Sequence, residues 1–241
     1  MGSGRGLTTG RLLDTPTDFW LSCLLAIQAF TLFVAIPVGA NDRILLDASH
    51  LAFVAICVGM LTSSRLLQAA LLATMAILII GPPLAAGIGA DEPSRASMRH
   101  QTILVFALIF NVLITGVVGR RVFARGRVTV HRVTGAILLY LNVAAIFSVA
   151  YRALSVMDPN AFEWAAGRQP TGLADVTAAY SYLSLATITT TGYGDVVPVH
   201  WLARSLANLE AVFGQLFPAT LLTRLIALEL SQESAGSDNG P

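Results

Sequence analysis

The sequence predicts an all-α membrane protein, with six transmembrane helices and a re-entrant segment between the fifth and the sixth. Three observations carry that reading. Only 12% of residues are charged, 55% are hydrophobic and the mean hydropathy is +0.69, whereas soluble domains carry roughly 25% charged residues. The charges are spaced so that long uncharged runs lie between them. A short string of threonines and glycines then separates two apolar helical stretches near the C-terminus, Val176 to Thr189 and Leu202 to Leu230.

The spans follow from the charges. None occurs between Asp18 and the Asp42–Arg43 pair, Asp47 and Arg65, Arg65 and Asp91, Arg99 and Arg120, or Arg132 and Arg152. Each gap is near the ~20 residues that a helix needs to cross the hydrocarbon. A sixth run, Ser205 to Thr223, contains one acid, Glu210. The run Asp47 to Arg65 is the shortest. No A-x-A-like cleavage site follows the first apolar run, which is therefore read as a helix and not as a signal peptide. The chain divides into an N-terminal segment 1–18, a four-helix module 19–119, a basic linker 120–132, a helix–loop–helix unit 133–230 and a polar tail 231–241 expected to be disordered.

Orientation comes from the arginines, which supply all 15 basic residues because lysine is absent; that bias suggests a GC-rich bacterial genome. With both termini cytoplasmic, Arg5, Arg11, Arg65, Arg120, Arg121, Arg125, Arg127, Arg132 and Arg224 lie inside, as the positive-inside rule requires. Asp91, Glu92, Asp158 and Glu163 then lie outside. The linker RRVFARGRVTVHR is a positive-inside anchor, or an interfacial segment whose arginines from Arg120 to Arg132 meet anionic lipid.

Several function classes are excluded at this stage. A net charge of +1 points to no nucleic-acid partner. Cys23 and Cys57 both fall in apolar runs and read as buried free thiols. The four histidines are scattered and there is no glycine-rich phosphate loop, so neither an enzyme nor a cofactor is expected.

The string Thr189-Thr190-Thr191-Gly192-Tyr193-Gly194-Asp195 decides most of the remainder. Gly-Tyr-Gly-Asp alone also suits a surface turn, but flanking apolar helices place it in a bilayer. There, irregular backbone is tolerated only where it is buried in protein or lines a water-filled path. TTTGYGD resembles the selectivity filter of potassium channels. A dehydrated potassium ion needs rings of oxygen in place of its water, and inward-pointing backbone carbonyls supply them. The resemblance implies ion sites built from the carbonyls of Thr190, Thr191, Gly192, Tyr193 and Gly194. The Thr190 hydroxyl completes the innermost, and Tyr193 anchors the strand outward. One strand gives a quarter of each ring, so a homotetramer is implied, with permeant potassium in place of any cofactor.

Residues from about 133 to 230 are similar to the helix, pore loop, helix unit of that family, including the lead-in ATITTTGYGDVVP and the last helix ANLEAVFGQLFPATLLTRLIALEL. The pore helix is expected to start near Asp175, whose side chain caps it. Gly214 stands where relatives carry a hinge glycine; close helix packing is the other reading. Pro218 removes a backbone donor and favours a kink, so Gly214 and Pro218 are the expected gating residues. Tyr182 holds a position where relatives bond the acid after the filter, here Asp195; packing behind the filter is its alternative. Ala186 replaces a glutamate found in some relatives, and Thr191 a common valine. Glu210 is expected to be protonated, or bonded to Ser184 or Thr187; an ion-pathway or pH-sensing role is the alternative. The fourth helix, QTILVFALIFNVLITGVVG, lacks the arginines of a voltage sensor. The expected function is a potassium-selective channel of the inner or plasma membrane without strong voltage gating. Its rivals are a less selective cation channel and a non-conducting transport or sensory subunit.

Overall fold

The computed structural model describes residues 16–38, 43–57, 93–122, 130–165 and 169–237, with part of the stretch 65–80. The first helical run is α1 (Pro16–Phe30), a π-helical turn (Thr31–Ala35) and a short α2 (Ile36–Val38). Then come α3 (Arg43–Ile56), α4 (Pro93–Val122) and α5 (Val130–Met157). The second half holds β1 (Phe162–Trp164), α6 (Leu173–Ile188), β2 (Val196–Pro198) and α7 (Trp201–Ser237). Between 65 and 80 the described residues are helical as well.

Among the described residues, three helices are long and apolar enough to cross a bilayer: Phe19–Val38, Gln101–Arg120 and Val133–Met157. They coincide with the first, fourth and fifth uncharged runs. α3 begins at Arg43 and takes Asp47 into its first turns, so the charge gap misplaces the start of the second helix. The linker residues 123–129 lie outside the described residues, as does most of the third span's outer end.

α5 is the hub. It packs against α1, α4, α6 and α7. Its N-terminal half joins Leu21 and Leu24 of α1, Phe53 and Val54 of α3, and Phe110, Ile114 and Val118 of α4 in one apolar cluster, against which Phe217 and Leu221 of α7 also pack. Asn142 of α5 donates to Thr115 Oγ1 (2.6 Å) and to the Asn111 carbonyl (3.3 Å), a polar link to α4 inside that apolar contact. The C-terminal half of α5 sits in a second cluster of a different kind, rich in aromatic rings. Tyr151 meets Phe162 edge-on at 5.7 Å, Phe162 meets Tyr180 at 5.0 Å, and Trp164 meets Tyr180 at 5.7 Å.

β1 and β2 pair antiparallel with Phe162 opposite Pro198 and Trp164 opposite Val196. The ladder is extended by Ala165 N–H to Asp195 O (2.8 Å) and by Val199 N–H to Ala161 O (2.9 Å). This ribbon ties the loop after α5 to the strand that leaves the glycine string. Strands this short carry no readable alternation, and the sequence gives no sign of them.

Two expectations need correction. α7 continues through Ser237, so residues 231–237 are helical and not a disordered tail. Gln232, Glu233 and Ala235 are good helix formers, and extending an existing helix avoids the cost of nucleation. Asp175 is not the cap of α6 either. The cap position is Gly172, at φ 95°, without a side-chain bond, and Asp175 lies in the first turn. There its charge faces the positive end of the helix dipole.

Candidate pore and filter

The string Thr189–Asp195 leaves the C-terminal end of α6, and the hydrogen bonds of that end explain its course. A helix leaves its last four carbonyls without intrahelical partners. Here all four are satisfied. Leu185 O accepts from Thr189 N–H (3.1 Å) and from the Thr189 hydroxyl (2.6 Å). Ala186 O accepts from Thr191 N–H (2.8 Å) and Gly192 N–H (3.1 Å), Thr187 O from Thr190 N–H (2.9 Å), and Ile188 O from the Tyr140 hydroxyl (2.7 Å). Thr189, Thr190, Thr191 and Gly192 thus turn their N–H groups onto α6. Among the described residues, no donor reaches the carbonyls of Thr190, Thr191, Gly192, Tyr193 or Gly194.

The backbone angles alternate along the string. φ is positive at Thr190 (57°), Gly192 (54°) and Gly194 (77°), and not at Thr191 or Tyr193. In an ordinary strand successive residues face opposite sides. Reversing the hand of every second residue turns successive carbonyls toward one side. Gly192 and Gly194 adopt the left-handed region at no steric cost, whereas Thr190 bears a Cβ there. Residues 189 to 195 are all exposed, Tyr193 by 71%.

Behind the string, Tyr182 and Tyr193 stack at 5.9 Å with their rings 11° apart. This stack is the packing reading of Tyr182.

Below the string, α7 approaches α6 very closely. A Cβ built on Gly214 lies 1.9 Å from the Ile188 carbonyl oxygen and 2.8 Å from its carbon. Nothing larger than glycine fits, which is the packing reading of this position. Pro218 lies inside α7, which remains a single helix through it. Gln215, on the turn beside Gly214, donates from Nε2 to Thr190 Oγ1 (3.1 Å).

Glu210 is fully buried at 0% exposure where α5, α6 and α7 meet. Tyr151 donates its hydroxyl to Glu210 Oε2 (2.5 Å), and Ser184 Oγ contacts both Glu210 Oε1 and the Ala144 carbonyl (2.7 Å). The single Ser184 proton cannot be donated to both acceptors. A protonated Glu210, donating from Oε1 to Ser184, supplies every link with one proton. A neutral acid is also the form that a membrane interior tolerates. Of the two hydroxyls expected from the sequence, Ser184 is the partner, and Thr187 returns its proton to Leu183 O (2.8 Å). Tyr151 was missed, because no spacing rule links a tyrosine on α5 to an acid on α7. Gln215 was missed too, although a glutamine next to a glycine in an apolar helix is a visible signal.

Two more contacts brace α6 against α5: Ser148 with Ser181 (2.9 Å) and Arg152 Nη1 to Thr177 Oγ1 (3.0 Å). Cys57 is buried and Cys23 half-buried, both as free thiols.

Residues 136–229 match the family model described as ion channel. In this segment the chain is similar to an ion-channel domain. The segment runs from the second turn of α5 through α6 and the glycine string into the last third of α7, and it contains every contact just described around the string. No curated protein and no solved structure matches the chain.

Proposed function

We propose that the chain is one subunit of a homotetrameric, potassium-selective channel of the inner or plasma membrane, with passive flux and no enzymatic activity. Six helices cross the bilayer, both termini are cytoplasmic, and residues 173–195 re-enter from outside. The observation that carries the reading is the alternation of backbone hand from Thr190 to Gly194, together with carbonyls that no protein donor uses. Four such strands around an axis offer stacked oxygen rings of the kind that replace the hydration shell of potassium. The exposed apolar residues of α7, among them Leu209, Val212 and Leu216, are the faces on which neighbouring subunits and the pore lining are built. Tyr182 and Asp195 hold the outer end of the filter. Gly214 and Pro218 set the course of α7 and with it the gate. Arg120 to Arg132 sit at the cytoplasmic headgroups.

Potassium-driven flux in liposomes tests the reading. The purified protein is expected to pass potassium and rubidium and to exclude sodium by a large factor. Equal potassium and sodium flux favours the less selective cation channel, in which Thr191 loosens the filter. No flux of either ion from correctly inserted protein favours the non-conducting subunit.

A further inference from the structure

We infer that Gln215 is a positioning residue for the innermost cation level of the filter, acting through the hydroxyl of Thr190. The inference rests on the potassium-conducting reading above and adds a determinant that lies outside the filter string. Three observations meet here. Gln215 Nε2 donates to Thr190 Oγ1 at 3.1 Å. Gly214, its neighbour, lets α7 approach the last residue of α6 to a distance that any Cβ would forbid. Thr190 itself adopts φ 57°, and it is the non-glycine residue with positive φ among those described. A β-branched residue held there is strained and persists only where its surroundings over-determine it.

The surroundings are two. The Thr190 backbone N–H is fixed on Thr187 O (2.9 Å), and the hydroxyl is fixed by Gln215. Gly214 and Gln215 thus work as one device: the glycine brings α7 within reach and the glutamine makes the contact.

The chemistry of the hydroxyl gives the contact a consequence for ions. A threonine hydroxyl has one proton and two lone pairs. Accepting from Gln215 occupies one lone pair and turns the proton away from the donor. The other lone pair is left with a defined direction for a cation. Without the amide the hydroxyl rotates freely, and its proton spends part of the time toward the ion, which weakens the level it completes. The backbone carbonyls above are unaffected, so the effect belongs to the innermost level.

Barium, close to potassium in radius with twice the charge, reads the field of these oxygens. Its binding to the purified tetramer is measured by calorimetric titration, which does not require conduction. Gln215→Met keeps the length of the side chain and removes the donor. It is expected to weaken barium binding about fivefold to tenfold, the worth of one neutral hydrogen bond, while the protein still folds and assembles. The same substitution is expected to act undiminished beside Thr190→Ser, which keeps the hydroxyl. Beside Thr190→Val, which lacks it, no further loss is expected. Barium affinity within twofold of wild type in Gln215→Met overturns the inference, as does an equal loss in the Thr190→Val background. Wild-type flux of potassium separates the two levels of the argument. A wild-type protein that passes no potassium removes the channel reading and this inference together. A conducting wild type with unchanged barium binding in the variant removes the inference alone.

Discussion

The helices before residue 122 and the segment after residue 136 that matches the ion-channel family are built from similarly apolar sequence, yet they are held together differently. Among the described residues of the first region, side-chain hydroxyls and amides return to their own helix one turn back: Thr31 to Ile27 O, Asn111 to Ala107 O, Thr115 to Asn111 O. Contact between helices is apolar, and the Asn142 link from α5 is its polar exception among the contacts described above. In the second region polar groups cross between elements: Tyr140 to Ile188 O, Tyr151 to Glu210, Ser184 to Ala144 O, Gln215 to Thr190. The difference follows from the backbone. Regular helices satisfy their own N–H and C=O groups, so their neighbours need only shape. A chain that leaves helical geometry inside a bilayer must pair its freed groups within the protein or turn them to a water-filled path, and the pairs made at the end of α6 fix where the string begins.

If that comparison is right, substitutions in the second region cost more than equivalent ones in the first, and the largest cost falls at Gly214. Gly214→Ala places a methyl against the Ile188 carbonyl. Overpacking against backbone costs about 1–3 kcal/mol or more. Thermal unfolding of the purified protein in detergent is expected to fall accordingly, and Gly116→Ala, with open space around it, is the matched control expected not to lower it. Equal behaviour of the two glycines would erase the distinction between the regions.

Next comes Glu210. Glu210→Leu strands the buried Tyr151 hydroxyl, at about 1–3 kcal/mol for an unsatisfied buried group. Glu210→Gln keeps a donor toward Ser184 and an acceptor for Tyr151, and is expected to cost less than about 1 kcal/mol. A large loss in Glu210→Gln, measured by the same unfolding assay, would contradict the neutral carboxyl argued from the proton count.

The effect of Pro218 is smaller in stability and specific to function. Pro218→Ala restores a backbone donor to α7, which already continues through the proline. Open probability in single-channel records is expected to change more than unitary conductance. Identical open probability would remove Pro218 from the gate.

The smallest expected effect concerns voltage. The fourth apolar run carries no charge between Arg99 and Arg120, and steep voltage gating uses roughly 3–4 charges in each subunit. The conductance–voltage relation in symmetrical potassium is therefore expected to be shallow. A slope of several charges per tetramer would mean that the first four helices do more than pack.

Legibility in the sequence follows the same division. The glycine string and its flanking helices were readable because the requirement is local: glycine for the left-handed residues, threonine for the hydroxyls, apolar residues on either side. Spans one, four and five were readable from the spacing of charges. What escaped depends on pairs distant in sequence. Phe162–Trp164 and Val196–Pro198 are too short to show a period, and their pairing exists only once α6 has folded back. Tyr151 and Glu210 meet across two helices. Gln215 finds Thr190 because Gly214 lets α7 come close, a relation that no spacing rule contains. The helical extension to Ser237 shows the opposite error: a polar composition was read as disorder, whereas a helix already under way continues through good formers.

The central claim is geometric: the carbonyls of Thr190 to Gly194 face one side and, in four copies, coordinate a dehydrated monovalent cation. A structure of the detergent-purified protein in rubidium, with anomalous scattering collected at the rubidium edge, tests it directly. The account predicts a fourfold tetramer with rubidium peaks in a line on its axis, at successive levels beside those five carbonyls. A tetramer without rubidium at those levels, or an assembly in which the string faces away from the axis, would contradict it.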